Sequence, residues 1–99
     1  MPGTNRITLS GRITGLDALR YTPAGVALLD FRIAHESEQA EAGGKRQVRL
    51  EVACLAAERE ARLLAAAPLG AEVEIEGFLA PRGRSSRQPV LHVISFAFV

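Results

Sequence analysis

NRITLSGRITGLDALRYTPAGVALLDFRIA, residues 5–34, reads as two strands joined by a turn-rich connection. Ile7, Leu9, Gly11 and Ile13 alternate with Arg6, Ser10 and Arg12, the period of two that puts one face of a strand into a core. In Thr22-Pro23-Ala24-Gly25 the proline fixes φ near −65° and the glycine accepts a positive φ, so the chain turns there. The second strand runs over about 26–36, with Ala27, Leu29, Phe31 and Ile33 on one side and Val26, Leu28 and Ala34 on the other. Two apolar faces suit a barrel strand whose inner face fills the core and whose outer face meets a partner. Two strands alone are marginal, so the remaining segments must complete a sheet around them.

Working outward, SEQAEAGGK (37–45) has acids, adjacent glycines and almost nothing to pack, which predicts a mobile loop. A third strand over 46–56 places Val48, Leu50, Val52 and Cys54 on one side and Arg49, Glu51 and Ala53 on the other. The period then changes: AEREARLLAAA (57–67) is rich in strong helix formers and ends before Pro68 and Gly70. In the fourth strand, 72–79, Val73, Ile75, Gly77 and Leu79 point inward and Glu72, Glu74 and Glu76 outward. PRGRSSRQP (81–89) is a surface loop, and 90–99 forms a fifth strand. The order strand, strand, strand, helix, strand, strand fits an all-β, five-stranded Greek-key barrel of the OB-fold type, with a short helix between strands three and four. A small mixed α+β domain would give the same string.

The chain has 99 residues, enough for one domain spanning 1–99. With 47% apolar and 23% charged residues it should fold rather than stay disordered. A formal charge of +1 announces no basic excess, so any anion-binding surface must arise from the distribution of charge. Cys54 is the only cysteine; an intrachain disulfide is impossible, and its apolar neighbours predict a buried thiol. No apolar run suits a signal peptide or a membrane span of about 20 residues, so no membrane partner and a cytoplasmic location are expected. His35 and His92 with one cysteine are too few for zinc, and Gly43-Gly44-Lys45 lacks the rest of a phosphate-binding loop. With no closely spaced nucleophile and base either, neither an enzyme nor a cofactor or metal site is expected.

Asn5, Gly11-Arg12, Arg20-Tyr21-Thr22-Pro23-Ala24-Gly25 and Phe31 to Ala34, followed by Leu55-Ala56-Ala57-Glu58 and Gly70, Val73 and Ile75-Glu76-Gly77, resemble the bacterial single-stranded DNA-binding protein family. Asn5-Arg6, Leu9-Ser10-Gly11, Arg46-Gln47, Gly77-Phe78 and Val90-Leu91-His92 resemble in particular its short members that serve replication restart. The resemblance covers nearly the whole chain and implies an OB barrel, a homodimer, single-stranded DNA as ligand, and a restart helicase and other primosome proteins as partners. The sequence departs from that family in two ways. It ends at Val99 within the last strand, so recruitment through a long acidic tail is not expected. It also has no tryptophan, and Arg49 stands at the position resembling one on the family's binding face. A missing stacking aromatic weakens binding by about 1–3 kcal/mol per base, which arginine offsets in part through phosphate pairing or stacking.

Binding single strands without sequence preference needs positive charge along a path and flat surfaces for bases. Arg82, Arg84 and Arg87 lie without a balancing acid in the loop that borders the OB binding face. Lys45, Arg46 and Arg49 form a second group, which Glu41 and Glu51 could pair. Arg12 and Arg20 flank the first connection and extend the path or cap a polar face; Arg6 and Arg32 are undecided. Tyr21 offers an exposed ring or a packing cap at the barrel end. Phe31, Phe96 and Phe98 belong to core or interface, whereas Phe78 shares its side of the strand with the outward glutamates. Phe96, Phe98, Leu91, Val93, Ala97 and Val99 give the last strand two apolar faces, as a homodimer contact needs. Near-neutral charge and the lack of tryptophan favour an adaptor that contacts a replication enzyme and binds DNA weakly over a strong autonomous binder.

Overall fold

The computed structural model describes residues 2–99. Six strands and one helix follow in the order β1 (Ile7–Leu16), β2 (Arg20–Tyr21), β3 (Ala27–Glu41), β4 (Gly44–Ala57), α1 (Glu58–Ala65), β5 (Glu72–Pro81) and β6 (Pro89–Phe98). The sheet order is β1-β5-β6-β4-β3-β2, and β1 also pairs with β3. That pairing closes five strands into a barrel, because β1 gives its first half to β5 (Ile7↔Gly77 to Arg12↔Glu72) and its second half to β3 (Arg12↔Ala34 to Leu16↔Phe31). A short parallel contact, Cys54↔Leu91 and Leu55↔His92, joins β4 to β6. This is the OB-like barrel expected from the sequence.

Most inward positions behave as their alternation predicts; Leu79, expected inward, is instead 37% exposed, and Leu50 on β4 is 46% exposed, because both line an open apolar groove with Ile7 and Leu9 rather than the closed core. Ile13, Leu29, Phe31, Ile33, Val73, Ile75 and Leu91 are buried in one core with Cys54, and α1 closes one end of the barrel with Ala61 and Leu64. The helix is anchored at its start by Glu58, whose Oε1 accepts the Ala27 backbone N–H at 2.8 Å. No helix among the described residues is long and apolar enough to cross a membrane. Burial pushes the Cys54 thiol up from 9.0 to about 12. A neutral, enclosed thiol does not attack a disulfide reagent, so native protein at pH 8 should leave Cys54 unmodified, and unfolding should release one reactive thiol per chain. Absorbance of the released thiolate measures both states; rapid modification of native protein would contradict this burial.

Two segments depart from the sequence reading. Residues 37–45 are not a mobile loop: β3 and β4 continue as a hairpin to Glu41↔Gly44. The turn is Ala42-Gly43, with φ of 52° and 78°, the two positive values that a type I′ hairpin turn requires. Both faces of this ribbon are in water beyond Glu38, so no hydrophobic period marks it. The other addition is β2, too short to show a period, which pairs Arg20↔Leu28 and Tyr21↔Ala27. Its turn is the expected Thr22-Pro23-Ala24-Gly25: the Gly25 N–H donates to Thr22 O at 2.8 Å and Gly25 has φ 86°.

Candidate nucleic-acid interface

Alternation on β3 puts Leu29, Phe31 and Ile33 in the core, and therefore Asp30, Arg32, Ala34, Glu36 and Glu38 on the outer face. Their partners on β4, Leu55, Ala53, Glu51, Arg49 and Gln47, share that face. The result is one continuous outer strip that runs from the end of the barrel to the tip of the β3–β4 ribbon.

At its barrel end sits an unusual group. Asp30 is 5% exposed, and both of its carboxylate oxygens meet arginines from different loops. Arg20, on β2, donates from Nε to Oδ2 at 2.9 Å, and Arg82, in the β5–β6 loop, brings Nη2 to 2.8 Å from Oδ1. The second contact is an ion pair without hydrogen-bond alignment. The arginine side chains are themselves about half exposed, 48% and 47%. In OB barrels the loops after the first strand and between the last two border the oligonucleotide face, and Arg20 and Arg82 come from those two loops.

The same transverse row continues around the barrel: Asp30↔Leu55, Leu55↔His92, His92↔Phe78. The His92 and Phe78 rings stack at 5.0 Å between centroids and 13° between planes. His92 Nε2 is buried without a hydrogen-bond partner beside the stack. Sequence reading placed Phe78 outward but left His92 aside; only the strand register brings the two rings together.

Farther along the strip the cations are paired. Arg32 reaches Asp17 at 3.5 Å, Arg49 reaches Glu36 at 3.6 Å, and Lys45 reaches Glu38 at 3.6 Å. Exposed pairs of this kind are each worth about 0–1 kcal/mol, so phosphate can compete for them. Arg12 lies on the outer side of β1, opposite Ala34 and Glu72 in the ladders, in a groove that Glu36 also lines. Two predicted residues are turned away. Arg46 is opposite Gln39 and binds Glu41 at 2.9 Å on the other face of the ribbon, and Tyr21, 59% exposed, is opposite the inward Ala27 rather than beside Arg20. Arg84 and Arg87 are exposed in the β5–β6 loop and, among the described residues, have no carboxylate partner. No group of three or more His, Cys, Asp or Glu among the described residues is placed to hold a metal ion.

A family described as "Another single-strand binding protein family" matches residues 5–95. The replication restart protein PriB of Bordetella pertussis is 43% identical over 89 residues, covering 90% of this chain and 83% of that protein. The chain belongs to the single-strand binding protein family, in its PriB branch. A solved structure of priB from Ralstonia solanacearum superposes with a TM-score of 0.88 at 28% identity, over 98% of this chain and 100% of that one. The single-stranded DNA binding protein of Thermus aquaticus, at 24% identity and a TM-score of 0.79, shares the fold; this chain covers 52% of it.

Proposed function

We propose that this chain is a single-stranded DNA-binding accessory protein of replication restart, acting in the cytoplasm as a homodimer that holds a restart helicase on DNA. The observation that carries the reading is the convergence of Arg20 and Arg82 from the two rim loops onto one end of the β3–β4 outer face. Arg84 and Arg87 extend the charge on the loop, Arg12, Arg49 and Lys45 continue it toward the ribbon, and the Phe78–His92 stack supplies a flat surface in the same row. Phosphates take the cations and bases take the rings, which gives affinity without sequence preference. Names of the relatives supply the setting: the PriB proteins are replication restart proteins.

Fluorescence anisotropy with labelled single- and double-stranded oligonucleotides at two salt concentrations tests this reading. Saturable binding that prefers the single strand and weakens steeply with salt is expected. Equal affinity for both forms, or none without a helicase, would instead favour an adaptor. That second reading has its own support in the ribbon, where Arg46, Arg49 and Lys45 are each matched by a glutamate and leave little net charge.

Dimerisation follows from what the single chain leaves uncovered. Phe98 is 53% exposed in a groove with Leu63 of α1, Ile94 and Val99 are 56% and 75% exposed, and Leu50 and Leu79 stand at the barrel mouth with Ile7 and Leu9. Apolar surface of this extent on a small barrel is the mark of an interface. Sedimentation equilibrium at micromolar concentration should give about twice the chain mass of 10.6 kDa, and a single-chain mass would refute the dimer.

A further inference from the structure

The β5–β6 loop, 82–88, has little of its own to fix it. Among the described residues its one internal backbone hydrogen bond is Ser86 N–H to Gly83 O, at 3.3 Å. Above the Pro81↔Pro89 rung, its polar side-chain contact to another element, among the described residues, is that of Arg82 with Asp30, and the same carboxylate holds Arg20 of β2. A carboxylate withdrawn from water is costly unless paired, and here it is paired twice.

Two opposite consequences are open to such a group. In the first, the carboxylate competes with phosphate and cancels one of the two positive charges. The donor count argues otherwise: a guanidinium has five N–H donors, and Asp30 engages one nitrogen of each arginine. The remaining donors lie on side chains that are about half in water, so a phosphate can bind their outer edges while the inner edges stay on Asp30. Without the carboxylate the two guanidinium groups would repel each other and the loop would lose its tether.

We infer that Asp30 is a positioning residue: a buried anionic brace that fastens the β5–β6 loop to β2 and presents the free edges of Arg20 and Arg82 together to the phosphates of a single strand. The inference rests on the proposed DNA-binding reading, but its structural half is measurable without DNA.

The test is Asp30→Asn, which keeps shape and removes the charge, with folding checked by circular dichroism. Amide hydrogen exchange should speed up across 83–88, and single-strand affinity should fall about tenfold, the scale of one lost charge-assisted hydrogen bond, although the variant is more positive. In an Arg20→Ala, Arg82→Ala background the same change should cost less than twofold, because both arms it positions are gone. Unchanged exchange in the loop, unchanged or tighter DNA binding by Asp30→Asn, or a full tenfold loss in the Arg20→Ala, Arg82→Ala background would each overturn the brace. If Asp30→Asn does not fold, Arg82→Lys, which keeps the charge but not the forked geometry, must loosen the loop, and failure to do so is equally fatal. Wild-type protein that binds no single strand defeats the proposed function, while loop exchange still decides whether the brace exists.

Discussion

Gly77→Ala is expected to destabilise the barrel by at least about 3 kcal/mol and to lower Tm by about 15 °C or more. Gly77 is on β5 opposite Val93, immediately after the irregularity at Glu76/Gly77 where β6 carries an extra residue. A Cβ there would intrude on the His92 backbone carbonyl of the adjacent strand. Backbone in a closed barrel cannot turn aside as a side-chain tip can, so β5 and β6 must separate locally, in the ladder that also sets the Phe78–His92 stack. The conflict is one of space; Gly77 does not have a positive φ. Gly83→Ala is the matched control, because a Cβ at that loop position meets nothing within 4 Å. Its effect should stay within about 0.5 kcal/mol. Thermal melts followed by circular dichroism compare the two, and equal Tm values would show that β5 and β6 are not held at this close approach.

The triple change Arg82→Ala, Arg84→Ala and Arg87→Ala should reduce single-strand affinity about a hundredfold at 0.1 M salt and flatten the salt slope by about 2. The estimate takes about 0.7 logarithmic units per neutralised phosphate on a single strand and three contacts per chain. Arg84 and Arg87 should act through charge alone, since they are exposed and unpaired among the described residues. Arg82 should act twice, because its loss also leaves one oxygen of the buried Asp30 carboxylate without its cation. Anisotropy titrations from 0.05 to about 0.5 M salt read both quantities. A triple variant with wild-type slope would remove the β5–β6 loop from the interface.

The barrel was legible because its strands have one face in oil and one in water. The alternations over Ile7 to Ile13, Ala27 to Ile33 and Val73 to Gly77 each name their inner face, and the change to AEREARLLAAA names the helix. The ribbon was hidden for the opposite reason. Beyond Glu38 neither face is buried, and the remaining signal was the Ala42-Gly43 pair between polar runs of matching length. In the site, the cationic loop could be read from composition, since arginines without acids stand out in any register. Asp30 was visible as an acid within ALLDFRIA, but its two partners come from Arg20 and from Arg82, far along the chain. No local pattern encodes that meeting. The Phe78–His92 stack is a similar case, because it depends on how β6 absorbs its extra residue.

Ala42 adopts a left-handed backbone, φ 52°, that an alanine holds at a cost of about 1 kcal/mol. The ribbon tip is kept closed by the rungs beneath it: Arg46 to Glu41, Lys45 and Gln47 to Glu38, Arg49 to Glu36. Most of those rungs are ionic and fade as electrolyte is added. Electrolyte therefore works at two levels, thinning the attraction for nucleotides and loosening the finger that would lie along them. The apparent count of ions exchanged on binding should then exceed the number of phosphates touched, and replacing Ala42 with asparagine, which tolerates the left-handed turn, should bring the two numbers closer.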